Sequence, residues 1–305
     1  MAMNYGSYSP EEARQIWEKR LVKTASVERD KRLARNLTMY RGLPATVDTD
    51  TVTTVVGSGG NSTIAAKITA KGAAPETTDI KAGEEDFKQY QISLGFYVNG
   101  REMMQDPSVK NAKVDWCYRN IGRLEDYIWV NGDSTINLSG MVTQARANPN
   151  GKITASGASG ADVNNVGAWA GTDSDIDIQK DVLEALSRIG DDYANSPMFL
   201  VGRRADLKYI RQLDDLRNSY ADQILDLFGA GSVNDFLRTS SYIPTGYVYI
   251  VAKDAEVAEF TVSTEMMVDN DYPREKGDNY WTEVREWINP FQCYDAEGFV
   301  EIQIT

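Results

Sequence analysis

Few residues in this sequence have types and spacings that could do chemistry. Glu125 and Asp126 form an adjacent carboxylate pair. Neighbouring positions on a helix point about 100° apart, so the two side chains do not converge on one substrate atom, and they read as solvated or salt-bridged charges at a helix end. The run Gly57-Ser58-Gly59-Gly60 has the glycine content of a phosphate-cradling loop. It lacks the Lys-Ser/Thr that should follow and the strand-to-helix setting. Asp173, Asp175 and Asp177 alternate like calcium-loop ligands, without the glycine and distal glutamate of such a loop. The chain contains no histidine. That removes the commonest general base, the commonest metal ligand and every Ser-His or Cys-His nucleophile. Cys117 and Cys293 stand at no metal-ligand or redox spacing and read as buried free thiols. No catalytic, cofactor or metal residue is assigned. A carboxylate-based hydrolase stays open on residue chemistry, and the 16 Tyr and 6 Trp would also serve a sugar-binding protein.

Charge separates the chain into two parts. The net charge is −13, which argues against a protein whose main task is gripping nucleic acid. Residues 1–44 nevertheless carry nine Lys/Arg against five acids, a local +4, leaving −17 on the remainder. Arg14, Lys19, Arg20 and Lys23 in this arm could touch DNA phosphates, and the interleaved acids limit such contact to a non-specific, salt-sensitive one. Hydrophobic residues make up 42% and charged residues 25%, as in an ordinary globular protein. No apolar run approaches the roughly 20 residues needed to span a bilayer. The first residues lack the pattern of a signal peptide, so an intracellular product is expected.

The elements that would position these residues can be read from periodicity. Ser9-Pro10-Glu11-Glu12 starts a helix, with Ala13, Ile16, Trp17 and Leu21 as a narrow apolar stripe. Within residues 46–99, alternation at Ile64, Ala66, Ile68 and Ala70 and again at Tyr90, Ile92, Leu94, Phe96 and Val98 predicts two long strands joined by a loose tip. Twenty residues of strand reach roughly 65 Å, whereas a compact fold of this size is about 50 Å wide. Such a hairpin protrudes, and because a lone hairpin is marginal in water, it must rest on another surface. Asp106-Pro107-Ser108 opens the clearest helix, with Val114, Cys117, Ile121, Leu124 and Ile128 as its core stripe and Gly132 as its C-terminal cap. Residues 139–175 read as an extended, Gly- and Ser-rich loop with one short hairpin. A helix at Ile178–Ile189, a strand at Met198–Val201, a second helix from about Arg203 with Leu207, Ile210 and Leu213 inward, and a strand at Tyr247–Val251 make a mixed α+β layer. From Phe260 onward the pattern is mostly β, with a turn across residues 271–278 and a closing strand from Phe299.

This order of elements, together with the segment Leu124–Val142 (LEDYIWVNGDSTINLSGMV) and the C-terminal VREWINPFQCYDAEGFVEIQI, resembles the Hong Kong 97-type major capsid proteins of tailed bacterial and archaeal viruses, whose fold encapsulin nanocompartments share. The resemblance rests on Glu125 or Asp126, Ile128 with Trp129, Gly132, the Gly140-Met141 step, and Trp169 followed by Thr172, Ile176 and Asp177. It implies an α+β, Hong Kong 97-like fold with an N-terminal arm (1–44), an extended β-hairpin loop (45–99), a peripheral domain with a long spine helix (100–132 and 260–292) and an apical mixed α/β domain (133–259 and 293–305). It implies a non-enzymatic structural subunit of an icosahedral capsid, built from hexamers and pentamers around double-stranded DNA and assembled in the host cytoplasm. Portal, scaffolding or decoration proteins would be its partners, beside further copies of itself and non-specifically held DNA, with no membrane. Inter-subunit contacts are then expected at Ile64, Lys67, Ile68, Lys71 and Lys81, and contacts between capsomers at Tyr272, Arg274, Glu275 and Lys276. The alternative within the fold is a compartment shell enclosing protein cargo.

Overall fold

The computed structural model describes residues 32–57, 80–99, 108–154, 169, 178–211, 219–269, 272–273 and 279–304. The predicted helix after Ser9, with Arg14, Lys19, Arg20 and Lys23, lies outside these residues, as do Ile64, Lys67, Ile68, Lys71, Arg274, Glu275, Lys276 and the aspartates at 173, 175 and 177.

Two five-stranded sheets and one long helix carry the architecture. The first sheet runs β1 (Met39–Gly42), β11 (Ala258–Val268), β13 (Asn279–Cys293), β12 (Tyr272–Pro273), with β4 (Tyr90–Asn99) on the free side of β13. β1 is parallel to β11; the other pairings are antiparallel. Across it lies α2 (Ser108–Asn131), which follows a short α1 (Leu33–Leu37) in the chain. At 1.5 Å per residue, α2 is about 36 Å long. The second sheet runs β7 (Lys152–Thr154), β14 (Phe299–Gln303), β10 (Tyr247–Ala252), β8 (Met198–Gly202), β9 (Leu237–Thr239). It packs with α3 (Met141–Ala147), α4 (Ile178–Leu186), α5 (Tyr220–Leu225) and α6 (Val233–Phe236). One continuous apolar core joins the two sheets. Trp129 of α2 meets Phe291 of β13 edge-on at 6.0 Å between ring centres, and Phe291 meets Phe299 of β14 at 5.7 Å.

The long helix keeps the predicted limits but not the whole predicted stripe. Val114, Cys117, Ile121 and Ile128 are buried, while Leu124 is 43% exposed. Glu125 occupies the core position instead and has no exposed surface. The inward face runs 114, 117, 121, 125, 128, so the step after Ile121 is four residues rather than three. Glu125 is thus neither solvated nor at the helix end: it is buried inside α2 and salt-bridged there. The Cys117 thiol is buried and burial pushes it up to about 11, while Cys293 is half-buried.

The helix stops where predicted. Gly132 adopts φ +73°, and a Cβ there would sit 2.3 Å from the Leu138 carbonyl oxygen. Gly140 lies directly against it, closing the short pair of β5 (Gly132–Asp133) and β6 (Leu138–Ser139). A left-handed residue without a side chain is what this crossing requires.

The predicted partnership of strands in residues 46–99 is corrected. The hairpin joins β2 (Thr49–Gly57) to β3 (Ile80–Lys88), in register from Thr49↔Lys88 to Gly57↔Ile80. Lys81 stands in β3 opposite Val56. Residues 90–99 instead pair with β13 along their whole length, from Tyr90↔Ile288 to Asn99↔Asn279. The reason is the alternation itself: Ile92 and Val98 are buried, a face that needs a covered sheet rather than an arm. Gly95 in β4 lets the Trp281 ring lie across it, where a Cβ would come within 2.1 Å of that ring.

Two further expectations change. The stretch 139–175, read as loop, contains α3 and the strand β7, which pairs in parallel with β14. Met141, Val142 and Ala145 supply its buried face. After Arg203 the chain forms turns and a 3₁₀ turn at Tyr209–Arg211 in place of an α-helix; Leu207 and Ile210 are inward as expected, and Leu213 lies outside the described residues. Tyr272 forms β12, backbone-paired with Trp281.

Candidate functional site

Two polar clusters fasten the ends of the chain's extended segments to the first sheet. The first begins with the residues just after the undescribed N-terminal part. Arg32 precedes α1 and Arg35 lies in it; both side chains are 5% exposed. Arg35 Nη2 donates to Glu125 Oε1 at 2.9 Å and to Glu286 Oε2 of β13 at 3.3 Å. Its Nη1 reaches Glu265 of β11 at 3.0 Å, and its guanidinium lies 4.8 Å over the Phe260 ring. Arg32 pairs with Glu125 and stands 3.6 Å from Glu286. Asp126 Oδ1 accepts from the Ala34 backbone N–H at 3.0 Å, and the Tyr40 hydroxyl donates to Glu265 at 2.6 Å.

The adjacent pair Glu125-Asp126 therefore does converge, though on the entering chain and not on a substrate. The 100° between them lets Glu125 face the sheet and Asp126 cap α1 from the side. Gly122 makes room for the contact: a Cβ there would stand 2.6 Å from Arg32 Nε. Burial pushes Asp126 up to about 6, against the lowering effect of the Ala34 hydrogen bond. Burial, then the neighbouring Glu125, holds Glu286 well above the usual carboxylate range despite Arg32 and Arg35. For Arg35, burial lowers proton affinity, but Glu125, Glu286 and Glu265 together raise it further than burial depresses it.

The second cluster holds the root of the β2–β3 hairpin. Arg41 of β1 pairs with Asp50 of β2 and, through Nε, with Glu259 of β11 at 2.6 Å. Gln292 of β13 donates to Asp50 at 2.9 Å, Tyr294 donates to Glu259 at 2.9 Å, and Gln89 donates to Thr261 at 2.8 Å. Phe87 packs edge-on against Tyr294 at 5.5 Å. Burial, then Glu259, raises the Tyr294 hydroxyl, so it stays a donor. Beyond this root, β2 and β3 pair only with each other among the described residues.

Of the predicted spine residues, Val114, Cys117, Ile121 and Ile128 come together in the core. Sequence reasoning missed Arg32, Arg35, Glu286, Arg41, Asp50 and Glu259 as a set. One signal existed: arginines flanking an apolar Leu33-Ala34 pair, and a glutamate at a core-stripe position of α2. Trp169, one of the residues carrying the resemblance, is buried and donates its Nε1–H to Asp181 at 2.9 Å.

This arrangement was compared with known proteins. No family model and no curated protein matches the sequence. Solved structures do match. A virus-like particle from Pyrococcus furiosus is similar over 94% of this chain and 99% of its own, with TM-score 0.59 and 13% identity. The capsid of an empty GTA particle is similar over 89% of each chain, with TM-score 0.63 and 11% identity. Mycobacterium phage Adephagia gives 88% and 89%, TM-score 0.61 and 10% identity. The fold is Hong Kong 97-like. Within it the Arg32–Arg35–Glu125–Glu286 cluster fastens α1 to α2 and to β13. Among the described residues no helix is long and apolar enough to cross a membrane, and no group of three or more potential metal ligands is assembled.

Proposed function

We propose that this chain is the major shell subunit of a tailed-virus-type capsid, assembling through hexamers and pentamers into a closed icosahedral container for double-stranded DNA. The observation that carries the reading is similarity over about nine-tenths or more of both chains to the capsid of an empty GTA particle and to a virus-like particle. Its physical complement is the self-paired β2–β3 hairpin, firmly rooted and without a further strand partner among the described residues.

On this reading the hairpin lies across a neighbouring copy, with Ile64, Lys67, Ile68, Lys71 and Lys81 in that contact. The first sheet with the spine helix forms the peripheral domain, the second sheet the apical domain, and the turn carrying Tyr272, Arg274, Glu275 and Lys276 meets other capsomers. Strand β4 joins the peripheral domain, so the extended loop shortens to about 49–88. The arm with Arg14, Lys19, Arg20 and Lys23 faces the lumen and touches DNA non-specifically. Portal, scaffolding or decoration proteins would join the shell during assembly in the host cytoplasm. The role is structural: burial of about 1,000 Å² of apolar surface per contact would contribute about 25 kcal/mol before association costs, which multiplicity and closure must outweigh.

Nuclease treatment of particles purified from their native source tests what the shell encloses. Double-stranded DNA protected inside intact particles supports the capsid reading. Particles holding a single protein cargo and no nucleic acid would make the chain a compartment shell instead.

A further inference from the structure

The fastening of the arm root has an excess of acid. Two guanidiniums, Arg32 and Arg35, face four carboxyls: Glu125 and Asp126 from the spine helix, Glu265 from β11 and Glu286 from β13. Tyr40 from β1 donates to Glu265, and Tyr118 from the spine helix adds a neutral hydroxyl, held up by burial. Glu125 and Glu286 have no exposed side-chain surface and share the same Arg35 Nη2, at 2.9 and 3.3 Å. Two buried carboxylates on one guanidinium nitrogen repel each other, and burial, then Glu125, holds Glu286 well above the usual carboxylate range. The remaining Glu286 oxygen, Oε1, is buried with no hydrogen-bond partner. A carboxylic acid at Glu286 supplies the donor that two carboxylates lack.

We propose that Glu286 stays protonated while residues 32–38 are fastened to the spine helix, and that loss of this proton as pH rises unfastens them, making the arm root a base-opened latch. The sign follows from burial. A carboxyl that holds its proton more tightly in the closed state favours closing while protonated, and that advantage is lost as pH rises through its closed-state pKa. Removing the proton leaves two adjacent buried negative charges beside the same arginine. The cheapest relief is local, because α1 has only five residues, whereas β13 is locked between β4 and β11.

Hydrogen exchange on the full chain tests this at the Ala34 amide, bonded to Asp126, and the Thr38 amide, bonded to the Ala34 carbonyl. After correction for intrinsic base catalysis, their protection should fall about tenfold from about pH 7 to about pH 9, with Val248–Val251 unchanged. In Glu286→Gln, a neutral isostere that cannot ionise, the fall should vanish. A flat wild-type profile, or the same fall in the variant, overturns the proposal. Infrared spectroscopy of the wild type gives a reading independent of the variant's folding: a protonated carboxylic acid band at neutral pH that titrates away on the alkaline side. Its absence at neutral pH would equally overturn it.

Discussion

Arg35 Nη2 lies 2.9 Å from Glu125 Oε1, joining residues 90 positions apart in the sequence at a point neither shows to solvent. The same arginine also holds Glu265, whose side chain is 47% exposed. One cation with a buried and an exposed partner gives a direct contrast. Glu125→Ala strands buried positive charge and should cost about 3–5 kcal/mol in the unassembled subunit. Glu265→Ala should cost about 1 kcal/mol or less. Urea unfolding followed by circular dichroism measures both, and equal losses would refute this partition.

The shifted stripe of the spine helix predicts an asymmetry between two leucine-type positions. Ile121→Ala empties a core site and should destabilise by about 2–4 kcal/mol. Leu124→Ser, three residues on, should change stability by about 0.5 kcal/mol or less. Paired melting curves decide the register; a large loss at Leu124 would restore the stripe read from spacing alone.

The Gly132–Gly140 crossing admits no side chain. A Cβ on Gly140 would stand 2.2 Å from the Gly132 backbone nitrogen, with no flexible atom able to give way. Gly140→Ala should therefore cost about 3 kcal/mol. The Gly42→Ala change, where a Cβ meets nothing within 4 Å, is the matched control and should melt close to wild type.

Asp126 gives a pH dependence of defined sign. Its carboxyl is raised from 3.8 to about 6, burial being the main cause. Because the folded state binds this proton more tightly, the stabilisation it contributes is full below the ordinary value and is lost as pH rises through about 6. Relative to Asp126→Asn, wild type should therefore lose about 1–2 kcal/mol between about pH 4 and pH 7, after allowance for partial solvent screening. A wild-type curve that gains on the variant over that range contradicts the assignment.

Much of the fold was legible where one face of an element meets one apolar surface. The limits of the spine helix, the strand at Tyr247–Ala252 and the closing strand follow from local period and caps. The pairing of β4 was not legible, because alternation fixes a strand's faces and leaves its partner open; β13 begins 180 positions after β4 ends. Helix α3 was hidden by its Gly- and Asn-rich surroundings. The arm-root cluster was hidden for a stronger reason. A glutamate at a core position looks like a break in the stripe until Arg32, Arg35 and Glu286, all distant in sequence, are placed around it.

Electrostatics at long range predicts how subunits meet. Residues 45–305 carry −17, so free subunits repel over about 10 Å at 0.1 M salt. Shell assembly should thus be promoted by ionic strength, seen as light scattering that rises as salt is added. Scattering that falls instead would mean that opposite charges at the contacts dominate.

The claim on which the account depends is that this chain closes into shells. Negative-stain electron microscopy of the purified full-length protein reads it out directly. The account predicts uniform, hollow, closed particles, with loss of those particles but retention of a folded subunit when residues 53–84 are replaced by a short Gly/Ser turn. A wild-type field of dispersed monomers or small oligomers, under salt conditions that favour association, would contradict it.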